Sequence, residues 1–548
     1  MCQFENAAVR QCLFEYFQNM KRLLLFSLII SLAACDNSPK ADTAKPAKPL
    51  QVIDTIVPSD IAGKFSDQTQ LRFDSTRLDS FLVKYPSFAS FKADFKRFYS
   101  PRQFAYAWQN GHGLIEQSSI LYNQINALQD NGIQSAIPYQ EVYTKMIEEG
   151  SATPDPYRDL MLTGQYLFYA RKVLTGIPEN DTKTLEWYVP RKKIDYASLL
   201  DSMLTGKLVK PDELIFPQYF LLRDKLKALH NVEKNNQWVV IKADKKKYQY
   251  GDSSSVVAAI RKKLFLSGDI KEDNQSPVFD SVLFYGIKSF QGRYGLGEDG
   301  VAGPGVLKEM SESLSKRIEQ ILVNMERCRW LPNETGSNYL VVNIPQFKLL
   351  VYEDNKLNWS CNVVVGKETN KTVIFKGDMK HVVLSPYWNV PPSIIKKEII
   401  PGMNRNKNYL ANHNMEWNNG QVRQKPGGNN SLGLVKFLFP NSYNIYLHDT
   451  PSKSLFNEDK RAFSHGCIRV SEPARLAEYL LRNDKNWPPE KIKTAMNSGK
   501  EQYVNLNPTI PVYIVYFTAF VDSQGKLNFR DDIYKRDEKL GAMIMARK

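Results

Sequence analysis

The sequence predicts an α+β, multidomain chain: a mostly helical N-terminal part, a compact three-helix unit, and a mainly-β C-terminal part with a long polar insertion. Three observations carry that expectation. The 548 residues exceed what one core organises, and 43% hydrophobic with 12% aromatic content is the composition of a folded chain. Apolar residues recur at helical spacing as far as about residue 314. From Tyr339 onward the period changes to that of strands, in short β-rich runs set off by turn residues.

Ahead of the helices, Met20-Lys21-Arg22 is a basic start, followed by an apolar run from Leu23 to Ala34 broken only by Ser27 and Ser31. The run is too short to span a bilayer and ends in small residues before a cysteine, the pattern of a signal peptide and its cleavage site. Leu32-Ala33-Ala34-Cys35 resembles the bacterial lipobox, which implies cleavage before Cys35 and lipidation of its thiol. Residues 1–34 are therefore expected to be a signal peptide. Translation is expected to start at Met20, because Glu5 and Glu15 are out of place ahead of the basic start. Residues 35–60, rich in Pro, Lys and Ala, read as a lipid-anchored tether.

Residues 61–245 are expected to form a helical domain. Leu121, Ile125 and Leu128 lie on one stripe that Asp130-Asn131-Gly132 closes. Phe98-Tyr99 and the run from Phe104 to Trp108 read as aromatic core. Residues 250–315 carry two further stripes, Val257/Ile260/Leu264 and Leu283/Ile287/Phe290. Gly295, Gly297 and Gly300 fit the G-x-G-x-x-G pattern of dinucleotide sites, but they follow a helix rather than a strand, so a turn between helices is expected. The helix ending in Phe290-Gln291, followed by Asp299-Gly300-Val301-Ala302-Gly303-Pro304, resembles the three-helix peptidoglycan-binding domain.

Residues 316–524 hold the β-rich part. Tyr339 to Ile344, Phe347 to Tyr352 and Trp359 to Val365 read as a meander. His381 to Leu384, Tyr443 to Leu447 and Val512 to Val521 read as further strands. The stretch of about 390–440 is polar and rich in Asn, Gly and Pro, which suits a lid. Residues 525–548 form a C-terminal segment.

The formal charge is +15, and +14 from Cys35 onward. Such a surface suits polyanionic surroundings, or is simply a solvated, lysine-rich exterior. No Lys/Arg cluster interleaved with aromatics singles out nucleic acid, which is not expected as a partner. From Cys35 on, the cysteines are Cys35, Cys328, Cys361 and Cys467, too few for a disulfide scaffold. Cys328 and Cys361 can pair or lie as separate buried thiols. Either way Cys467 is left over, and a free thiol in an exported protein asks for a reason.

Two stretches supply one: Tyr446-Leu447-His448-Asp449-Thr450 and Ser464-His465-Gly466-Cys467-Ile468-Arg469-Val470. A thiol attacks as thiolate and needs a base, here His448 for Cys467. A third group must fix the imidazole. Asp449 is too close in sequence to assign through its side chain, and a nearby backbone carbonyl serves as well. Gly466 allows a tight turn that can aim backbone N–H groups at one spot, as an oxyanion hole requires. Arg469 can hold the turn or bind a substrate carboxylate. Ser471 is expected to cap a helix from about Glu472 to Asn483, with Cys467 just before its N-terminus. His448, His465 and Cys467 can also be read as metal ligands, but a zinc site wants three or four ligands at recognisable spacing and no second cysteine lies near, so no metal is expected.

His-Asp, a spacer and Ser-His-Gly-Cys-x-Arg together resemble the signature of the YkuD-type L,D-transpeptidases. The resemblance extends to Tyr387 through Ser393, to Leu447 through Pro451, and to Phe529 through Tyr534. It implies the large subtype, with a helical scaffold, a peptidoglycan-binding domain and a lid inserted in a mainly-β catalytic domain. By the same resemblance Cys467 is the nucleophile, His448 the base and the Asp449 carbonyl the orienting group. Backbone amides around Gly466 and Cys467 form the oxyanion hole. Tyr446, Ser464, His465 and Arg469 contact substrate, with Trp388 and Asn389 at the lid hinge.

The expected activity is peptidoglycan 3→3 cross-linking through a thioester, with D-Ala released from a tetrapeptide stem and no cofactor. The expected partners are stem peptides, glycan strands and a membrane reached through the Cys35 lipid. The expected place is the periplasm-facing cell envelope. An L,D-carboxypeptidase or wall-remodelling amidase with the same site, and a non-catalytic wall-binding lipoprotein, are the competing readings.

Overall fold

The computed structural model describes residues 71–149, 152–205, 214–332 and 336–545. The expected signal peptide, the Met20 start, the Cys35 lipidation site and the tether lie outside the described residues. The architecture is α+β: a helical N-terminal part, three short helices, and a mainly-β part closed by a C-terminal helix.

The helical part is organised around Pro156–Leu174, which starts with Pro156 in the first turn behind an Asp155 cap. Asp159 on this helix is fully buried. Its carboxylate accepts from the Tyr99 hydroxyl at 2.7 Å and the Trp108 N–H at 2.8 Å. The aromatic cluster around Tyr99 and Trp108 is thus core, tied down by a buried carboxylate whose pKa burial raises.

Three helices follow, Ser255–Leu266, Ser281–Tyr294 and Pro304–Met310, the first two capped by Ser254 and Asp280. Gly295 ends the second at φ +67°, so the glycine-rich segment is a helix terminus and turn, with no strand before it. Arg293 pairs with the buried Asp269 and donates to the Leu527 carbonyl at 2.5 Å, which docks this unit on the C-terminal hairpin.

Helix Leu314–Arg329 is buried on most of its faces. It packs against helix Gln218–Lys234, strand Ala519–Val521 and helix Asp537–Met545. Glu326 accepts from the Ile177 N–H at 2.6 Å and from Trp330 at 2.9 Å, while Arg329 donates to the Val173 carbonyl at 3.0 Å. One hydrophobic core therefore runs from Phe73 to Leu540 across the helical and β parts. Cys328 and Cys361 are separate buried thiols.

In the β part, Lys356–Gly366 pairs with Ile468–Val470, then come Leu447–His448, Val435–Leu438, Lys376–Leu384, Gln502–Val515, Tyr339–Asn343 and Lys348–Glu353, which pairs back onto Lys356–Gly366. The ladder closes on itself, which leaves no exposed edge along this ring. Two expectations change here. The stretch read as a lid ends in a strand of the ring, Val435–Leu438, whose Val435 and Phe437 are buried. A four-residue strand inside a polar run carries too short a period to be read from sequence. Second, the helix expected from about Glu472 is present, but Ser471 does not cap it. Ile468–Val470 is a strand, Ser471 still donates to Asn362 at 3.0 Å, and helix Pro473–Leu481 starts on Pro473 without a side-chain cap.

The inserted segment has its own three-stranded sheet, Trp388–Asn389, Gln421–Gln424 and Met415–Asn418, and several short helical turns. Val390, Ile399 and Val422 form its own small core.

Candidate active site

Two short parallel strands place the chemistry. Leu447 pairs with Ile468, and His448 with Arg469. Side chains alternate across a strand, so Tyr446 and His448 share one face while Leu447 takes the other. Cys467 and Arg469 share the matching face, with Ile468 and Val470 pointing inward. Leu447, Ile468 and Val470 are fully buried in the ring. Parallel pairing at about 5 Å strand spacing thus brings Cys467, His448 and Arg469 to one wall. The eighteen residues between His448 and Cys467 form the return connection.

His448 is almost entirely buried. Its Nδ1 lies 2.5 Å from the Asp449 carbonyl oxygen. A carbonyl only accepts, so Nδ1 carries the proton and Nε2 is left without one. The Asp449 carboxylate does different work: it accepts from the Leu434 N–H at 2.8 Å and the Thr450 N–H at 2.7 Å, and pairs with Lys453. It braces the backbone whose carbonyl fixes the ring.

Cys467 is half-buried, with Sγ 3.7 Å from the Asn444 carbonyl. Burial pushes its thiol pKa up, opposed by hydrogen bonds from Tyr446 and by the Arg469 charge. Burial, then Arg469, push His448 down to about 4, against the pull of the Asp449 carbonyl. Both shifts favour the uncharged forms, thiol and neutral imidazole.

The turn before Cys467 requires glycine for its backbone: Gly466 sits at φ +117°, while a Cβ would meet nothing closer than 3.8 Å. Its N–H donates to Ser464 Oγ at 3.0 Å, and Ser464 Oγ donates to the Cys467 carbonyl at 2.6 Å. This changes two expectations. The Gly466 amide is engaged inside the turn and is not free for an oxyanion, and the Ser464 hydroxyl is used there rather than offered to substrate. The Cys467 N–H has no protein acceptor among the described residues.

These groups open onto a cleft of about 640 Å³, whose opposite wall is the inserted segment from Trp388 to Glu398. Trp388 and Asn389 pair with Gln424 and Arg423 at the root of that segment, and Trp388 lines the same cleft as Tyr446. His465 reaches across: its Nε2 is 3.4 Å from Glu398 Oε1, both half-exposed. Arg469 lines the cleft with no acidic partner among the described residues. The contribution of Glu398 carries no local sequence signal, because it arrives from a distant segment.

Comparison with known proteins agrees with this geometry. Residues 337–499 match the family model of the L,D-transpeptidase catalytic domain, and residues 93–226 match that of the Scaffold domain. The chain carries an L,D-transpeptidase catalytic domain. A Haemophilus influenzae protein, an L,D-transpeptidase by description, is 32% identical over 247 residues, 41% of this chain and 50% of the relative. The chain thus spans about half the length of this curated relative. Among solved structures, an L,D-transpeptidase from Mycobacterium smegmatis overlaps 33% of this chain and 58% of its own at 13% identity and TM-score 0.20. One from Stackebrandtia nassauensis overlaps 50% and 97% at 14% identity and TM-score 0.21. Overlaps that low carry no weight. Cys467 and His448 both fall inside the span that matches the L,D-transpeptidase catalytic domain, whereas Tyr534, whose hydroxyl meets Thr372, lies beyond it.

Proposed function

We propose that this chain is a peptidoglycan L,D-transpeptidase that forms 3→3 cross-links through a thioester on Cys467. The observation that carries the reading is a half-buried cysteine at the cleft floor, beside a histidine whose proton is held on Nδ1 by a backbone carbonyl. Cys467 Sγ attacks the carbonyl of the third stem residue, a diamino acid, as Nε2 of His448 takes the thiol proton. The Cys467 N–H donates to the oxyanion. The D-Ala amine leaves with the proton from His448, giving the thioester. An amine of a second stem then attacks, its proton passes to His448, and the thiol is regenerated. Arg469 holds a stem carboxylate, because a guanidinium without an acidic partner in a partly dry cleft is a strong anion site.

The three-helix unit and the net positive charge support retention on the wall polymer. Lipidation of Cys35 would keep the protein at a membrane facing the periplasm; metabolic labelling with palmitate, lost in Cys35→Ala, tests that part separately.

The test is incubation of the soluble chain with disaccharide-tetrapeptide and mass analysis of products. Dimers lacking one D-Ala are expected. Tripeptide monomers alone would make the protein an L,D-carboxypeptidase, and no turnover by folded protein would contradict enzymatic function.

A further inference from the structure

The C-terminal motif Phe529 to Tyr534 lies outside the catalytic cleft, yet its last residue reaches the nucleophile's turn. The Tyr534 hydroxyl donates to the Gly366 carbonyl at 2.5 Å and accepts from the Thr372 N–H at 3.2 Å. Thr372 Oγ1 accepts from the Gly366 N–H at 2.9 Å and donates to the Gly466 carbonyl at 2.8 Å. Thr372 and Tyr534 are both buried, and each hydroxyl has one acceptor for its proton and one donor facing its lone pairs. The approach is tight. A Cβ on Gly366 would lie 2.1 Å from the Asn370 oxygen and 2.8 Å from the Thr372 nitrogen, so only glycine admits the loop that carries Thr372.

The consequence follows from the peptide plane. In a trans peptide the C=O and the following N–H point in opposite directions. Thr372 holds the Gly466 oxygen toward the core, and the Cys467 N–H is thereby turned toward the cleft, where it meets no protein acceptor among the described residues. We infer that Thr372 and Tyr534 are positioning residues for acyl transfer, fixing the Gly466–Cys467 peptide so that its N–H faces the oxygen of the tetrahedral intermediate. The inference rests on the proposed acyl-transfer role of Cys467. It also ties the helical part to the site. The Tyr534 N–H donates to Tyr516 at 2.8 Å, and Arg536 donates to the Leu185 carbonyl at 2.5 Å and pairs with Glu186 at 2.6 Å.

The experiment compares two reactions of Cys467 in the full chain. Acylation by a carbapenem passes through an oxyanion; alkylation by iodoacetamide does not. Thr372→Val is expected to slow acylation about a hundredfold, and Tyr534→Phe about tenfold, with alkylation within about twofold of wild type. Thr372→Ser keeps the hydroxyl and is expected to acylate within about threefold of wild type. If Thr372→Val does not fold, Tyr534→Phe carries the comparison. Unchanged acylation in the variants, or acylation and alkylation falling together, overturns the inference. A wild-type chain that alkylates but never acylates contradicts the proposed function itself, and the positioning role with it.

Discussion

The two walls of the cleft are held by different forces. The wall that carries Cys467 belongs to the continuous core: His448, Asp449, Ser464 and Thr372 are buried, and each is held by hydrogen bonds within the fold. The facing lid has a core of three buried residues, Val390, Ile399 and Val422, and its ion pairs, such as Arg423 with Glu416, are partly exposed. A contact between the walls, His465 with Glu398, is half-exposed and worth little by itself. The difference teaches that Cys467 and His448 are held on the side that shares the continuous core, while the facing wall rests on a small core of its own and has the lower expected local stability.

The comparison breaks first if the rigid wall is dispensable. His448→Ala is expected to lower carbapenem acylation at least about a thousandfold while leaving the melting temperature within a few degrees. Next, with Arg469 as the proposed holder of a stem carboxylate, Arg469→Met is expected to raise KM for a tetrapeptide stem about tenfold to hundredfold, with a smaller change in kcat. A fall in kcat alone would assign Arg469 to the chemistry instead.

How much of this was legible in the sequence follows the same division. Tyr446, His448, Cys467 and Arg469 lie in two runs, and strand alternation within each run sets which side chains share a face. That is local information. The helical stripes at Val257/Ile260/Leu264 and Leu283/Ile287/Phe290 were equally local, and all six side chains are buried. The engagement of the Gly466 amide by Ser464 is local, two residues away, but depends on a turn conformation that residue types alone do not display; that of its carbonyl by Thr372 is tertiary, because Thr372 arrives from a loop ninety-four residues away. The lid read as one long loop because Gln421–Gln424 and Val435–Leu438 are strands of four residues in polar company. Ser471 looked like a helix cap because a helix does follow, but Pro473 fixes where it starts and the backbone of Ser471 still belongs to the sheet.

The lid supplies the third prediction. Val422→Ala is expected to cost about 2 kcal/mol of local stability, seen as faster amide exchange in residues 390–424 with little change in the 435–470 wall. Exchange that rises equally in both walls would mean that they unfold as one unit. The smallest expected effect is on pH. His448 is pushed down to about 4 in the fold, from an ordinary value of 6.5. Between those values the unfolded chain holds a proton that the fold does not, so lowering the pH through this window destabilises the fold. The base itself stays unprotonated. Acylation is therefore expected to change by less than about twofold from pH 7 to pH 5 while the melting temperature falls. A rate that halves near pH 6.5 would show an unperturbed base.

The most direct measurement is intact-protein mass after exposure to a carbapenem, followed by peptide mapping of the adduct. One acyl group on the peptide carrying Cys467, absent in Cys467→Ala, is the predicted result. An adduct that persists in Cys467→Ala, or maps to Cys328 or Cys361, would contradict the assignment of Cys467 as the nucleophile.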